Sequence, residues 1–368
     1  MEEQEYMRRC VALAKQGIGW TSPNPMVGAV IVKNGRIIGE GWHVRRGELH
    51  AERHALSRCT ESPDGADLYV TLEPCCHHGR QPPCTDAILA AGIRRVHVGS
   101  DDPNPLAAGK GLEILRSKGV EVKTGILKEE CDGLNQVFFH FIRTGTPYVV
   151  MKYAMTLDGK IAAYTGKSQW ITGKDARSRV HQERHRLRGI LVGVGTVLAD
   201  DPMLNCRMEG GRDPVRIVCD THLRTPADSR LVKSAGRIET ILATCCTDPA
   251  RQRPYLEAGC RVWQLPAVQG RVNLSALMQR LGQAEIDSVL LEGGAELNWS
   301  MLEAGLVQKV QVYLAPKLLG GLTARSPIGG QGVPEPGRGW RLENSVIHPI
   351  GEDFLIESEV AYCVHGTC

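Results

Sequence analysis

His50-Ala51-Glu52 and, after a short apolar run, Glu73-Pro74-Cys75-Cys76-His77-His78-Gly79-Arg80-Gln81-Pro82-Pro83-Cys84 form the stretch around which this chain is read. One imidazole and two thiolates are a fitting donor set for Zn²⁺, and three protein ligands leave the fourth position to water. Zinc lowers the pKa of that water to about 7, so hydroxide is available at neutral pH. A carboxylate that is not a ligand then moves protons. On this basis His50, Cys75 and Cys84 are the expected metal ligands and Glu52 the expected catalytic carboxylate.

Spacing restricts how these residues meet. Two positions apart on a regular helix point about 200° apart. His50 and Glu52 therefore share a site only if the helix begins at His50. Residues 68–72 read as a short buried strand that delivers Glu73-Pro74-Cys75 at its carboxyl end, where open α/β sheets place ligands. Pro82-Pro83 suits the first turn of a helix. That puts Cys84 at a helix start, where the dipole favours a thiolate. Singly, Cys75 and Cys84 read as buried structural thiols and His50 as a satisfied surface histidine. A structural zinc closed by Cys76, His77 or His78 is a second alternative. The conjunction favours a catalytic zinc. His-x-Glu followed by Pro-Cys is a signature of zinc-dependent base deamination, but there the second cysteine comes three residues after the first. Here it comes nine residues later.

Composition bounds the rest. At 368 residues two domains are expected, and 42% apolar content is ample for their cores. A net charge of +3 makes no electrostatic case for a nucleic-acid partner. No run approaches the roughly 18 apolar residues of a membrane span. Met1-Glu2-Glu3-Gln4-Glu5 lacks the basic and apolar regions of a signal peptide. The expectation is a cytoplasmic protein without membrane contact, and a two-domain enzyme of this size is expected to form a homo-oligomer. Thirteen cysteines in so long a chain read as reduced thiols. Most outside the metal site, such as Cys219 and Cys260, read as small buried hydrophobes.

Periodicity predicts a helix over residues 3–16, with Met7, Cys10, Val11 and Ala14 on one face. Strands are predicted at 27–32 and 36–42, joined by the Asn34-Gly35 turn, and at 68–72 and 96–99. Helices are predicted from 50 to 56, after Pro82-Pro83, at 112–118 and at 131–142. Thr144-Gly145-Thr146-Pro147 marks the boundary, giving domains of 1–145 and 146–368. Beyond it strands are predicted at 148–154, 190–193, 215–219, 240–243, 289–291 and 310–315, and helices at 174–185, 274–281 and 295–304. The tail, 340–359, alternates like a strand at Phe354 and Ile356. Gly193-Val194-Gly195-Thr196 lacks the third glycine of a dinucleotide fingerprint. Leu291-Glu292-Gly293-Gly294-Ala295 is either a tight strand–helix turn or a place where phosphates meet backbone N–H groups.

Asn24-Pro25-x-Val27-Gly28, His50-Ala51-Glu52, Cys75-x-His77-His78-Gly79-Arg80-x-Pro82-Pro83-Cys84 and Asp102-Pro103-Asn104-Pro105 resemble the bifunctional deaminase–reductase family of riboflavin biosynthesis. In the second half the resemblance runs through Lys152, Leu157-Asp158-Gly159-Lys160, Ser168-Gln169-Trp170-Ile171-Thr172, Gly193-x-Gly195-Thr196-Val197, Asp200-Asp201-Pro202-x-Leu204, Glu292-Gly293-Gly294 and Ala315-Pro316-Lys317. It covers nearly the whole chain. The nine-residue step between the cysteines matches that family, whereas Cys76 departs from the serine expected there.

The resemblance implies an α/β protein. Its N-terminal domain would be a cytidine-deaminase-like three-layer α/β/α unit, and its C-terminal domain a dihydrofolate-reductase-like α/β unit. It implies two reactions on a small phosphorylated pyrimidine. Zinc-dependent deamination of 2,5-diamino-6-ribosylamino-4(3H)-pyrimidinone 5′-phosphate comes first. NADPH then reduces the ribosyl group to ribityl, giving 5-amino-6-ribitylamino-2,4-pyrimidinedione 5′-phosphate. Deaminase substrate contacts map to Asn24, His43, His77, Arg80, Asp102 and Asn104. Cofactor contacts map to Ala154, Trp170, Thr196, Asp200, Thr221 and the run Gly294, Ala295, Glu296, Leu297, Asn298, Trp299 and Ser300. Reductase substrate contacts map to Ser168, Arg184, Leu204, Arg207 and Glu292, with Lys152 and Asp200 polar candidates for the reductive step. Rival readings are an active deaminase carrying a non-catalytic reductase-like domain, a zinc-stabilised RNA-binding or tRNA-editing protein, and a purely structural zinc module.

Overall fold

Along Gly28–Lys33 the side chains divide between two cores: Ala29 and Ile31 join one, Val30 and Val32 the other. A period-two partition of this kind requires a sheet covered on both faces. The computed structural model describes residues 2–79, 81–105 and 107–362. It divides into two compact units, Met1–Gly145 and Thr146–Cys368.

The first unit runs α1 (Glu3–Ala14), β1 (Gly28–Lys33), β2 (Arg36–Trp42), α2 (Ala51–Ser57), β3 (Asp67–Leu72), α3 (Cys84–Ala90), β4 (Arg95–Ser100), α4 (Lys110–Ser117), β5 (Glu121–Lys123), α5 (Lys128–Leu134) and α6 (Gln136–Thr144). Its sheet has the order β2-β1-β3-β4-β5. The hairpin β1–β2 and the pair β1–β3 are antiparallel, and β3, β4 and β5 are parallel. One face packs Ile31, Leu68 and Val96 against Ala51 and Ala55 of α2, Ile88 of α3 and Leu115 of α4. The other packs Val30 and Tyr69 against Met7 and Cys10 of α1 and Cys131 of α5. The result is three layers. Gly41 lets α2 lie close on β2, since a Cβ there would meet Ala55 N at 2.3 Å and Ala51 O at 2.6 Å. That seating fixes the start of α2 over the sheet.

The single helix expected over 131–142 is two helices, α5 and α6, broken at Asn135. The Asn135 amide accepts from Met26 N at 2.8 Å and donates to Met26 O at 3.0 Å. A tertiary partner thus outweighs helical continuity at this residue.

The second unit runs β6 (Tyr148–Thr156), α7 (Lys174–Arg186), β7 (Gly189–Gly193), α8 (Val194–Asp200), β8 (Val215–Cys219), α9 (Arg230–Lys233), β9 (Thr240–Thr244), α10 (Pro249–Glu257), β10 (Arg261–Gln264), β11 (Ala267–Val268), β12 (Arg271–Val272), α11 (Leu274–Gln283), β13 (Ser288–Leu291), α12 (Ala295–Glu303), β14 (Lys309–Ala315), β15 (Arg341–Ile350) and β16 (Asp353–Ala361). The main sheet has the order β10-β9-β8-β7-β13-β6-β14-β16-β15. Strands β10, β9, β8, β7, β13, β6 and β14 are mutually parallel, and β16 and β15 close the edge antiparallel; β11 and β12 form a separate antiparallel pair. Its strands again alternate between two cores, with Leu191, Ile217 and Ile241 in one and Ile190, Val218 and Leu242 in the other.

Strands β5, β10, β11 and β12 and helices α8, α9 and α10 are not among the expected elements. Helix α10 was not read from the pattern, although Asp248 caps it through Ala250 N at 2.9 Å and Pro249 opens it. In the tail the inward face begins with Asp353 and Leu355, whereas Phe354 is exposed. Asp353 is drawn inward because its carboxylate accepts from Gly173 N at 2.7 Å.

Two candidate active sites

His50 is the N-cap of α2, with extended backbone at φ −69° and ψ 159°. Glu52 follows in the first turn and Cys84 is the first residue of α3. Arg53 ties the two helix starts together, donating to Pro82 O at 3.2 Å and Pro83 O at 2.7 Å. Cys75 arrives from the end of β3. As a result the ligand atoms of His50, Cys75 and Cys84 all lie within 4.8 Å of one another. His50 Nδ1 is 3.4 Å from each sulfur. A tetrahedral zinc with Zn–N and Zn–S bonds of ordinary length holds N and S roughly 3.6 Å apart, so this donor set fits the ion. The protonation state agrees. The Cys84 thiol donates to Cys75 and pulls it down to about 4, against burial, while the same bond pushes Cys84 up. The shared proton favours the anionic form of Cys75, and a bound cation would favour loss of the proton from Cys84 as well.

Glu52 is buried beside this cluster. Burial, followed by the charge of Cys75, pushes its carboxyl up to about 7. His43 lies edge-on to His50 with ring centroids 5.4 Å apart. Its Nδ1 meets Leu49 O at 3.0 Å, which makes Nδ1 the protonated nitrogen and leaves Nε2 to accept from the Asn24 amide at 3.1 Å. Burial lowers the pKa of His43, so it is held neutral. Asp102 accepts from Asn104 N at 2.9 Å. Its carboxyl is pushed up to about 6 by burial, with Cys75, Glu73 and His77 near enough to act on its charge. Asn24, His43, His77, Asp102 and Asn104 are all among the described residues of this unit, and Arg80 lies outside them. Glu73, quoted in the opening stretch without a role, is buried and accepts from Gly109 N at 3.0 Å. It anchors the start of α4 directly after the loop that carries Asp102 and Asn104.

In the second unit a cleft of about 1660 Å³ opens along the carboxyl ends of the parallel strands. Of the residues expected there, Lys152, Ala154, Ser168, Trp170, Thr196, Asp200, Thr221, Glu292, Gly294, Ala295, Glu296, Leu297 and Ser300 line it. Asn298, Trp299, Arg184, Leu204 and Arg207 are not among its lining residues. Asn298 is buried and donates to Pro327 O at 2.9 Å, and Trp299 packs edge-on against Trp340. Leu204 is buried in the core cluster that includes Val197 and Leu231. Arg207 donates from Nε to His181 Nε2 at 3.1 Å. Cys219, expected as a buried hydrophobe, is partly exposed and lines the cleft, whereas Cys260 is buried.

Arg184 is committed to Glu292 by bonds of 2.8 and 2.9 Å, and Lys152 Nζ stands 3.8 Å from the same carboxylate. Burial works to raise the pKa of Glu292, but Arg184 and Lys152 outweigh it and hold the group at about 2. Burial lowers the pKa of Lys152, with Glu292 opposing and Arg184 assisting. Over the cleft mouth the exposed Trp170 ring carries the Arg177 guanidinium 4.4 Å from its centroid. Neither this pairing nor the Arg184–Glu292 bond has a signal in local spacing.

Comparison with known proteins adds the wider context. Residues 147–356 match the model of the RibD C-terminal domain, and residues 1–100 that of the cytidine and deoxycytidylate deaminase zinc-binding region. The chain is 54% identical over 357 residues to the riboflavin biosynthesis protein RibD of Actinobacillus pleuropneumoniae, covering 97% of this chain and 95% of that one. It is 44% identical to RibD of Escherichia coli K12, over 87% and 89% of the two chains. Among solved structures, Acinetobacter baumannii RibD superposes with a TM-score of 0.87 at 36% identity, over 98% and 99% of the chains. The Thermotoga maritima diaminohydroxyphosphoribosylaminopyrimidine deaminase/5-amino-6-(5-phosphoribosylamino)uracil reductase does so at 0.84 and 36%, over 97% and 98%. These relations bear out both expected folds, the cytidine-deaminase-like and the dihydrofolate-reductase-like.

Proposed function

The chain belongs to the RibD family, and from that premise we propose how its own residues carry out the deamination and the reduction of riboflavin biosynthesis. The substrate is the phosphorylated diaminopyrimidinone, and the deaminated product is then reduced at its ribosyl group. The observation that carries the reading is the His50–Cys75–Cys84 cluster with buried Glu52 beside it, in a chain matched over nearly its full length.

His50, Cys75 and Cys84 would hold a zinc ion, which when bound would supply an acidified water. Glu52 would accept the first proton of that water and pass it to a ring nitrogen as the hydroxyl adds to the ring carbon. It would then take the second proton from that hydroxyl and give it to the amino group, which leaves as ammonia as the C–N bond breaks and the carbonyl forms. Asn24 has its amide N–H₂ turned to His43, which orients its carbonyl oxygen to accept from an amino group of the pyrimidine. Asp102, Asn104, His77 and Arg80 complete the proposed contacts.

NADPH supplies the hydride for C1′ in the second unit. One proton must reach O4′ as the ribose ring opens. Lys152 is proposed to give it, a reading supported by its position in the cleft lining and by the burial that lowers its pKa. Glu292, kept ionised by Arg184, steadies the ammonium. Ala154, Trp170, Thr196, Asp200, Thr221 and the Gly294–Ser300 segment are the proposed cofactor contacts. Ser168, Leu204, Arg207 and Glu292 are the proposed substrate contacts, and Arg184 is proposed to position Glu292.

A homo-oligomer is also proposed. The edge strand β15 is exposed from Arg341 to Pro349 and presents Leu342, Val346 and Ile347 to solvent, and an open edge of this kind pairs readily. Among the described residues no helix is long and apolar enough to cross a membrane. A cytoplasmic location and the absence of a nucleic-acid partner are proposed from the composition. The test is product analysis with the diaminopyrimidinone phosphate and zinc-loaded protein. Ammonia release without NADPH, followed by NADPH oxidation on the deaminated product, is expected. Ammonia release without any NADPH oxidation would leave only the deaminase.

A further inference from the structure

Strand order sets out positions along the cleft of the second unit. Lys152 stands on β6, Glu292 at the end of β13, Gly193 at the end of β7, and Cys219 and Thr221 at the end of β8. These strands lie side by side in the order β8-β7-β13-β6. With neighbours about 4.8 Å apart, β8 is roughly 14 Å from the Lys152 end. A dinucleotide whose reacting ring meets Lys152 therefore reaches β8 with its distal adenosine end.

The loop leaving β8 is rigidly built. Asp220 is buried, and its Oδ2 accepts from Thr225 N at 2.7 Å and the Thr225 hydroxyl at 2.8 Å. The Tyr255 hydroxyl donates to Thr225 O at 2.6 Å. Leu223 packs into the core with a φ of +47°, a conformation a leucine adopts only where its surroundings hold it. With Asp220 and Leu223 turned in, His222 and Arg224 are exposed, and both line the cleft. Nearby guanidiniums are engaged: Arg251 donates to the carbonyls of His222 and Leu223, and Arg271 pairs with Glu296 at 3.5 Å. Among the described residues Arg224 has no hydrogen-bond or ion-pair partner.

In Rossmann-type folds, NADH sites offer a carboxylate to the ribose 2′-hydroxyl and NADPH sites an arginine to the 2′-phosphate; the same charge logic holds for an adenosine end in any fold. Here the only acid directly after the strand, Asp220, faces inward and is taken up by Thr225, and the outward charge is a guanidinium. We propose that Arg224, backed by His222, contacts the adenosine 2′-phosphate and sets the preference for NADPH over NADH. This rests on the reductase reading above. The planar guanidinium suits a phosphate monoester through paired, charge-assisted bonds.

The test is calorimetric titration of the full-length protein with NADP⁺, NAD⁺ and adenosine 2′,5′-bisphosphate, repeated with Arg224→Ala and Arg224→Lys. Arg224→Ala is expected to weaken NADP⁺ and the bisphosphate about tenfold or more while NAD⁺ stays within about twofold. Arg224→Lys is expected to fall between, because it keeps the charge without the fork. Equal weakening of NADP⁺ and NAD⁺, or no change in either, overturns the assignment of Arg224 alone. If the unaltered protein binds none of the three probes, the reductase reading itself fails.

Discussion

Arg184 grips Glu292 with two hydrogen bonds, Nε to Oε1 at 2.8 Å and Nη2 to Oε2 at 2.9 Å, across 108 residues of chain. Both side chains are 12% exposed, so the pair is only lightly screened. It brings α7 and the end of β13 together at the floor of the reductase site and places a permanent anion beside Lys152.

Removing one member of a buried pair leaves an uncompensated charge and costs about 3–5 kcal/mol. Arg184→Ala should lower the melting temperature of the C-terminal unit and abolish NADPH oxidation. The same pair gives a pH dependence. Glu292 is held at about 2, below its ordinary 4.5. A depressed carboxyl contributes stability that is full above the unfolded pKa and is lost as pH falls through the folded one. Denaturation curves collected downward from pH 5 should show an acid loss that is smaller in Glu292→Gln.

Glu52→Gln keeps the shape of the residue but cannot take a proton. General acid–base catalysis is worth about 10²–10⁴-fold. Ammonia release should fall by that order while zinc content, measured by elemental analysis, stays stoichiometric. Near-normal release from zinc-replete Glu52→Gln would remove Glu52 from the mechanism.

Three thiols lie in the opening stretch, and the geometry separates them. Among the described residues only Cys75 and Cys84 converge on His50. Cys84→Ser should therefore lose zinc and deamination together, and Cys76→Ser should retain both. Zinc loss from Cys76→Ser would show that the neighbouring thiol takes part in binding.

The assignment of Lys152 as proton donor predicts an alkaline limb in the reductive rate. The ammonium is the active form, so the rate falls as pH rises through its pKa. Burial lowers that pKa, which places the limb below the ordinary lysine value of about 10.4. Lys152→Met should lose the limb along with most of the rate. A rate that stays flat to high pH in the unaltered protein would exclude Lys152 from this step.

Much of the first site was legible because its geometry is local. His50 and Glu52 converge because a helix begins between them, and two-residue spacing permits no other arrangement. Cys75 follows a strand and Cys84 follows two prolines, and both positions have short-range signals in apolar runs and proline. The break at Asn135 had no such signal, because its cause is Met26, 109 residues away. The tail strand had its alternation as a signal, and Ile356 packs against the main core; the burial of Asp353 had none, because its partner is Gly173 N, 180 residues away.

The sequence by itself determined which chemistry the chain carries: a zinc donor set, a carboxylate beside it and two α/β domains in fixed order. Those features depend on residue type and on contacts within a turn or a strand. Tertiary structure alone decided which charges are free to act. Arg184 and Arg224 are equally plain arginines in the sequence, yet folding pairs one with Glu292 and leaves the other open at the end of β8. Pairing across a sheet depends on strand order, and strand order is set by the packing of the whole domain rather than by any local pattern.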